Sequence, residues 1–534
     1  MSPSPINQGT KFLITLFSVF WISFIFIDYL NKHALFTLAL SSFHYFDLTL
    51  VYLVLGGALV WLAGKSFAPR WFFSGAFAFL LGLVLLFITN QFYYFRVIEA
   101  YGLENQVIKA VLVVAFYALF LVFIIAFCFV AGKFLLEKIP LKWKKRDVPI
   151  FSILLGISLF MLFLFLFGAL KVLNPLVLYG FMAAIFILRY QDALDFLKKI
   201  FLSRPETFKK YSWLGFGSLY FLILAISLNL GRIISPMPTG NDAQNYYVNI
   251  ARLIHDYSGL VEGFQPYNWS LFMASGYVLT GKTEATLTLS FIGGVLALFA
   301  FFRLGKALFR MDENYLMLGG LLFYLTPTVF TQSISELKID LGLLFISLGI
   351  LLLWTRWLRG LKLSDSLPLQ ENDWKNSILC AILLGSLLGI SLGVKLTSLF
   401  LLFALVAGIW HFFFGWKGFL SASLFTLGFV LLIRLDEMIA MRQYHLSVEW
   451  VQWSLLALGL AGFTWLLKEN TPRFVQVLKI SLLIGAFAAL FFLPWAGKNL
   501  VETGSTSPTL LLRGKKPGAE MNLKILEQRL NNQE

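Results

Sequence analysis

The sequence predicts an all-α, polytopic transmembrane helical bundle of about fifteen spans, and three observations carry that reading. Of 534 residues, 59% are apolar and only 13% charged, roughly half the charged share of an ordinary soluble domain, with a mean hydropathy of +0.79. Apolar runs of bilayer-crossing length recur from end to end. The basic residues behind the net charge of +15 gather in alternate loops, which is the positive-inside pattern, rather than on one face as nucleic-acid binding requires. Membrane lipids are therefore expected as partners, and nucleic acid is not.

The first block, 1–205, is expected to hold six spans, at 12–30, 47–64, 71–90, 110–132, 150–170 and 173–188. Each approaches the ~20 residues that cover the hydrocarbon core. Backbone groups in lipid must be satisfied within the segment, so each run reads as a helix. The first lacks a cationic leader and a small-residue cleavage site, so it reads as a retained helix. Loop 133–149 carries Lys133, Lys138, Lys142, Lys144, Lys145 and Arg146, and loop 189–210 carries Arg189, Lys198, Lys199, Arg204, Lys209 and Lys210. Both are placed in the cytoplasm. Counting outward from them puts Arg303, Lys306 and Arg310, then Arg356, Arg359 and Lys362, on the same side.

The second block, 211–510, continues with spans at 213–231, 286–302, 315–333, 340–357, 376–394, 396–414, 418–433, 450–467 and 478–495, and a polar, basic tail follows at 511–534. Its distinguishing feature is one long outward loop, 232–285, holding Arg232, Asp242, Arg252, His255, Asp256 and Glu262. Long loops of this kind are usually functional. Within it Ala243, Tyr246, Tyr247, Ile250, Leu253, Ile254 and Tyr257 recur at helical spacing, which predicts a juxtamembrane helix lying in the interface. Thr239-Gly240-Asn241 supplies turn and cap chemistry, placing Asp242 at or beside that helix's N-terminus. The two cysteines, Cys128 and Cys380, fall inside spans and offer neither a disulfide framework nor a paired-cysteine metal site.

The outward ends of the second block gather the chain's unusual polar residues. Asp242 stands in the first loop; Glu336, Lys338 and Asp340 form Ser-Glu-Leu-Lys-Ile-Asp in the next; Lys395 interrupts an apolar run; Arg434 closes a span; and Pro494-Trp495-Ala-Gly-Lys498-Asn499 closes the last. Charges at membrane level are costly enough to be read as functional by default. A solvated turn for Glu336 and Asp340, simple helix capping by Asp242 and snorkelling lysines stand as the structural alternatives.

Three stretches resemble the GT-C glycosyltransferases, membrane enzymes that use lipid-linked sugars, over about 213–510. They are Pro236-Met-Pro-Thr-Gly-Asn-Asp242-Ala-Gln-Asn-Tyr246-Tyr247, Leu325-Thr-Pro327 through Glu336-Leu-Lys-Ile-Asp340, and the Gly-rich Gly385 to Thr397. The ending Pro494-Trp495-Ala-Gly-Lys498-Asn499…Thr503-Gly504-Ser-Thr-Ser-Pro508 adds a fourth, with Lys498 where the family commonly has arginine. The resemblance implies transfer of a sugar from a polyprenyl-phosphate donor to an acceptor glycan, lipid or protein, on the outer face of a bacterial inner membrane. It implies catalytic roles for Asp242, Glu336 and Asp340, donor-phosphate contacts for Lys395, Arg434 and Lys498, and acceptor or sugar contacts for Tyr246, Tyr247 and Trp269. No cofactor is certain, and a divalent metal is left open. Two other readings remain open: an O-antigen-type polymerase or ligase, relying on outer arginines, and a lipid-linked sugar flippase or transporter, for which polar groups at mid-membrane are expected.

Overall fold

The computed structural model describes residues 106–202, 212–231, 242–262, 266–309, 311–334, 337–361, 371–432, 449–506 and 511–512. The expected spans at 12–30, 47–64 and 71–90 lie outside them. Among the described residues every regular element is helical. In chain order the helices are α1 (Gln106–Lys138), α2 (Val148–Ala169), α3 (Pro175–Leu188), α4 (Tyr190–Leu202), α5 (Trp213–Gly231), α6 (Val248–Tyr257), α7 (Asn268–Thr280), α8 (Thr283–Phe309), α9 (Glu313–Leu325), α10 (Pro327–Ile334), α11 (Asp340–Gly360), α12 (Glu371–Leu392), α13 (Ser398–Leu432), α14 (Glu449–Glu469) and α15 (Thr471–Thr503), with a π-helical turn, Ala243–Tyr247, ahead of α6.

Eight of these helices are long and apolar enough to cross a membrane, or nine if α3 and α4 count as one bent span. Over the described residues the protein is thus all-helical, with the helices of an integral membrane protein. Three runs depart from the simple expectation of one span each, for local reasons. The run 173–188 starts cleanly, with Asn174 accepting a hydrogen bond from the Val177 amide (3.0 Å) and proline at N1, but turns by 87° into the amphipathic α4. The run 315–333 splits into α9 and α10 at Thr326, whose ψ of 127° is the extended conformation that a following proline imposes. The runs 396–414 and 418–433 are continuous except at Gly415, whose positive φ of 62° is left-handed backbone that glycine adopts freely.

The chain folds as two compact units. In the first, α5 packs on α9, and the buried Asn229 donates to the Tyr324 hydroxyl (2.9 Å). In the second, α8 and α11 run parallel, and so do α12 and α15. The latter pair is close because Gly385 and Gly389 face α15 backbone: a Cβ at either would lie 2.5 Å and 2.4 Å from the carbonyl oxygens of Ile484 and Ala488. Small residues let helices approach in this way where no hydrophobic gain drives association in lipid.

The loops that the charge pattern puts on one side meet at one end of the second unit. Arg303 and Arg356 both pair with Asp147, the latter at 2.7 Å. Arg359 donates to the carbonyls of Ala307 and Leu308. Arg189 pairs with Glu137 (2.6 Å) and Asp192 (2.5 Å), and Lys133 with Asp192. Because α11 begins at Asp340 and carries Arg356 sixteen positions on, Asp340 marks the opposite end, about 24 Å away at 1.5 Å per residue.

Candidate functional site

The end marked by Asp340 is built from chain segments far apart in sequence. Asp242 has helical backbone (φ −65°, ψ −38°) immediately before the π-turn, and its side chain makes no capping hydrogen bond. The carboxylate is 59% exposed and faces the Lys338 ammonium at 3.9 Å. Helix capping therefore does not explain it. Asp340, at the start of α11, accepts a 2.7 Å hydrogen bond from Lys395, and the two side chains are 39% and 43% exposed. Tyr247 lies within electrostatic reach of both pairs. Burial, then the negative charges of Asp340 and Asp242, push its phenol well above the ordinary tyrosine range, so it stays neutral near both carboxylates.

Lys395 is held in place by its backbone. Its amide donates to Ser391 O and its carbonyl accepts from the Ser398 amide, both at 3.0 Å, so the turn between α12 and α13 is fixed by its own backbone, independently of the side chain's bond to Asp340. Asn268 secures the neighbouring segments. Its side chain is buried, donates to Ile390 O (2.9 Å) and accepts from the Trp495 indole (2.8 Å), and its amide donates to Gly393 O (2.8 Å). Gly393 makes this possible, since a Cβ there would sit 2.2 Å from the Asn268 side-chain nitrogen.

Lys498 belongs to a second group, on the α15 side of Asn268. It is only 7% exposed and pairs with Glu502 one turn along at 2.7 Å, near the Trp495 ring (6.0 Å) and within electrostatic reach of Glu262. The buried Tyr267 hydroxyl accepts from the Val261 amide (2.7 Å) and its ring lies 4.6 Å from that of Trp495. Burial raises this phenol as well.

Of the expected site residues, Asp242, Tyr247, Asp340 and Lys395 come together, with Lys498 in the adjoining group. Glu336 and Arg434 lie outside the described residues. Tyr246 is about half exposed. Trp269, expected as an acceptor or sugar contact, is fully buried, and a Cβ at Gly342 would come within 2.0 Å of its ring. The expected interfacial stripe is likewise occupied by protein, since Ala243, Ile250, Leu253 and Ile254 are buried where α6 packs on α7 and α8.

Sequence reasoning missed α7 altogether, a thirteen-residue and almost wholly buried helix inside the long loop. An apolar run of that length is the signal of a buried core helix. It also passed over Lys338 as the Asp242 partner and Glu502 as the Lys498 partner; the second was legible as an i,i+4 pair. Among the described residues no three His, Cys, Asp or Glu side chains are grouped to hold a metal ion, so Asp242 and Asp340 by themselves do not make a metal centre. Comparison of the chain with protein-family models, with curated proteins and with solved structures finds no match.

Proposed function

We propose that this chain is a membrane glycosyltransferase of GT-C type, with about fifteen spans, acting on the periplasmic side of a bacterial inner membrane. It moves a sugar from a polyprenyl-phosphate donor to an acceptor glycan, lipid or protein. The observation that supports this reading best is the meeting of two partly exposed carboxylates, Asp242 and Asp340, with two lysines, Lys338 and Lys395, at the helix ends opposite the arginine cluster.

The chemistry needs a group of each kind. An acceptor hydroxyl or amine attacks the anomeric carbon and gives its proton to a carboxylate, for which Asp242 is the accessible candidate. The bond between that carbon and the phosphate oxygen breaks with inversion, and the polyprenyl phosphate leaves with the electron pair. The charge growing on the phosphate is met by a fixed cation, and Lys395 in the turn between α12 and α13 supplies it. Tyr247, un-ionised within electrostatic reach of both carboxylates, contacts the acceptor or the sugar.

The test is transfer from polyprenyl-phosphate sugars in proteoliposomes. Asp242→Asn keeps the shape of the side chain and removes the base, so transfer should fall by about 10²-fold or more while insertion and thermal unfolding stay as in the parent protein. Undiminished transfer by that variant would reject the assignment.

A further inference from the structure

The Lys395 ammonium has two claimants, and their competition gives the site an order of events. We propose that Asp340 holds Lys395 until a lipid phosphate takes the lysine over, and that this exchange releases the Asp340 carboxylate next to Tyr247 and Asp242. The inference rests on the glycosyltransferase reading for the identity of the phosphate, and on the geometry of the pair for the exchange itself.

The Asp340–Lys395 contact is short, at 2.7 Å, yet both side chains are about two-fifths exposed. Such a pair contributes no more than about 1 kcal/mol. Ammonium–carboxylate and ammonium–phosphate hydrogen bonds are both charge-assisted, but a terminal lipid phosphate brings three acceptor oxygens and more negative charge than a carboxylate, so delivered at headgroup depth it takes the ammonium at small cost. Nothing in the backbone has to move, because both peptide groups of Lys395 are already bonded within the turn.

The neighbouring pairs cannot make the same exchange. Lys498 and Glu502 are paired at the same distance but largely buried, so separating them leaves both charges poorly solvated, at a greater cost than for an exposed pair. Asp242 and Lys338 stand 3.9 Å apart, beyond hydrogen-bonding distance, so Asp242 is already uncovered. Asp340 is thus the covered carboxylate of the two, and Lys395 the cover. An acceptor that depends on both carboxylates then binds productively only after the lipid phosphate has arrived.

The measurement is binding of undecaprenyl phosphate to the full-length protein in nanodiscs, with undecaprenol and inorganic phosphate run alongside. Asp340→Asn removes the competitor, so binding should tighten about two- to fivefold, the worth of an exposed ion pair. Lys395→Gln should weaken binding, and adding Asp340→Asn to it should then change nothing, because the gain operates through the lysine. Lys395→Arg preserves the charge and should preserve the Asp340→Asn gain, which separates loss of the cation from a folding defect. A gain with undecaprenyl phosphate alone assigns the exchange to a lipid phosphate; a gain shared with inorganic phosphate assigns it to phosphate from either source. Unchanged or weaker binding by Asp340→Asn overturns the proposal, as does a gain that survives Lys395→Gln or appears with undecaprenol. Transfer unaffected by Asp242→Asn alongside an intact exchange would bring down the glycosyltransferase reading alone; the reverse pattern would bring down the exchange alone.

Discussion

At the arginine end of the second unit, the Asp147 carboxylate is 2% exposed and held by two guanidinium groups. At the other end, the Asp242 carboxylate stands mostly in solvent and faces one ammonium across 3.9 Å. Both are aspartates at the start of a helical segment, and both were drawn from loops that hydropathy alone treats alike. The difference lies in how much of each side chain's bonding capacity the fold consumes. Asp147 is enclosed and faces two guanidinium groups, so its charge is committed to joining α2, α8 and α11. Asp242 and Asp340 are partnered lightly enough that a ligand can compete for them, which is what a reactive site needs.

The most forceful way to break this comparison is to neutralise Asp147. Asp147→Asn leaves Arg303 and Arg356 without a counter-charge among buried groups, and loss of one partner from a buried ionic cluster costs about 3–5 kcal/mol. Asp242→Asn, made in an exposed position, should alter stability by no more than about 0.5 kcal/mol. Unfolding of both variants in detergent or nanodiscs should show a large drop for the first and almost none for the second. Equal losses would mean that the exposed end is structural too.

Much of the helix placement was legible because it depends on local pattern. Apolar length located the helical runs beyond residue 105, although the expected span 315–333 runs through Pro327, where the helix breaks, and the gap between 414 and 418 marked the place where Gly415 interrupts α13. The basic loops were legible as one group, and their meeting around Asp147 and Asp192 agrees with it. What sequence could not supply was pairing at long range. Lys395 stood out by interrupting an apolar run, but nothing local identified Asp340 as its partner, or Lys338 as that of Asp242. Trp269 read as an interfacial aromatic because α7 was taken for loop; once that segment is a buried helix, glycines at 293 and 342 make room for the ring. Asn268 likewise gave no local sign of its bridge, because its partners Ile390 and Trp495 lie more than a hundred positions away.

Asn268 offers an intermediate effect that sharpens the comparison. It bridges the ends of α12 and α15 through two side-chain hydrogen bonds, so it is structural in itself while positioning the exposed groups beyond it. Asn268→Ala leaves the buried Trp495 indole N–H without an acceptor, at about 1–3 kcal/mol. Trp495→Phe removes the other half of the bond, and the double variant should recover part of the combined loss, with a coupling of about 1 kcal/mol in a double-mutant cycle. Strict additivity would show that Asn268 and Trp495 act independently.

The smallest predicted effect is also the most discriminating, because it compares like with like. Lys395–Asp340 and Lys498–Glu502 are both lysine–carboxylate pairs at 2.7 Å, and they differ chiefly in exposure. If burial decides which charges belong to the fold, Lys395→Gln should cost less than about 1 kcal/mol, the value of an exposed pair. Lys498→Gln should cost about 1 kcal/mol more, because Glu502 stays behind in a confined position near Glu262 with its counter-ion gone. The difference should persist in high salt, which screens the exposed pair far more than the buried one. Equal losses that vanish together on adding salt would place both lysines in the same environment, and Lys498 would then have to be regarded as a second exchangeable cation.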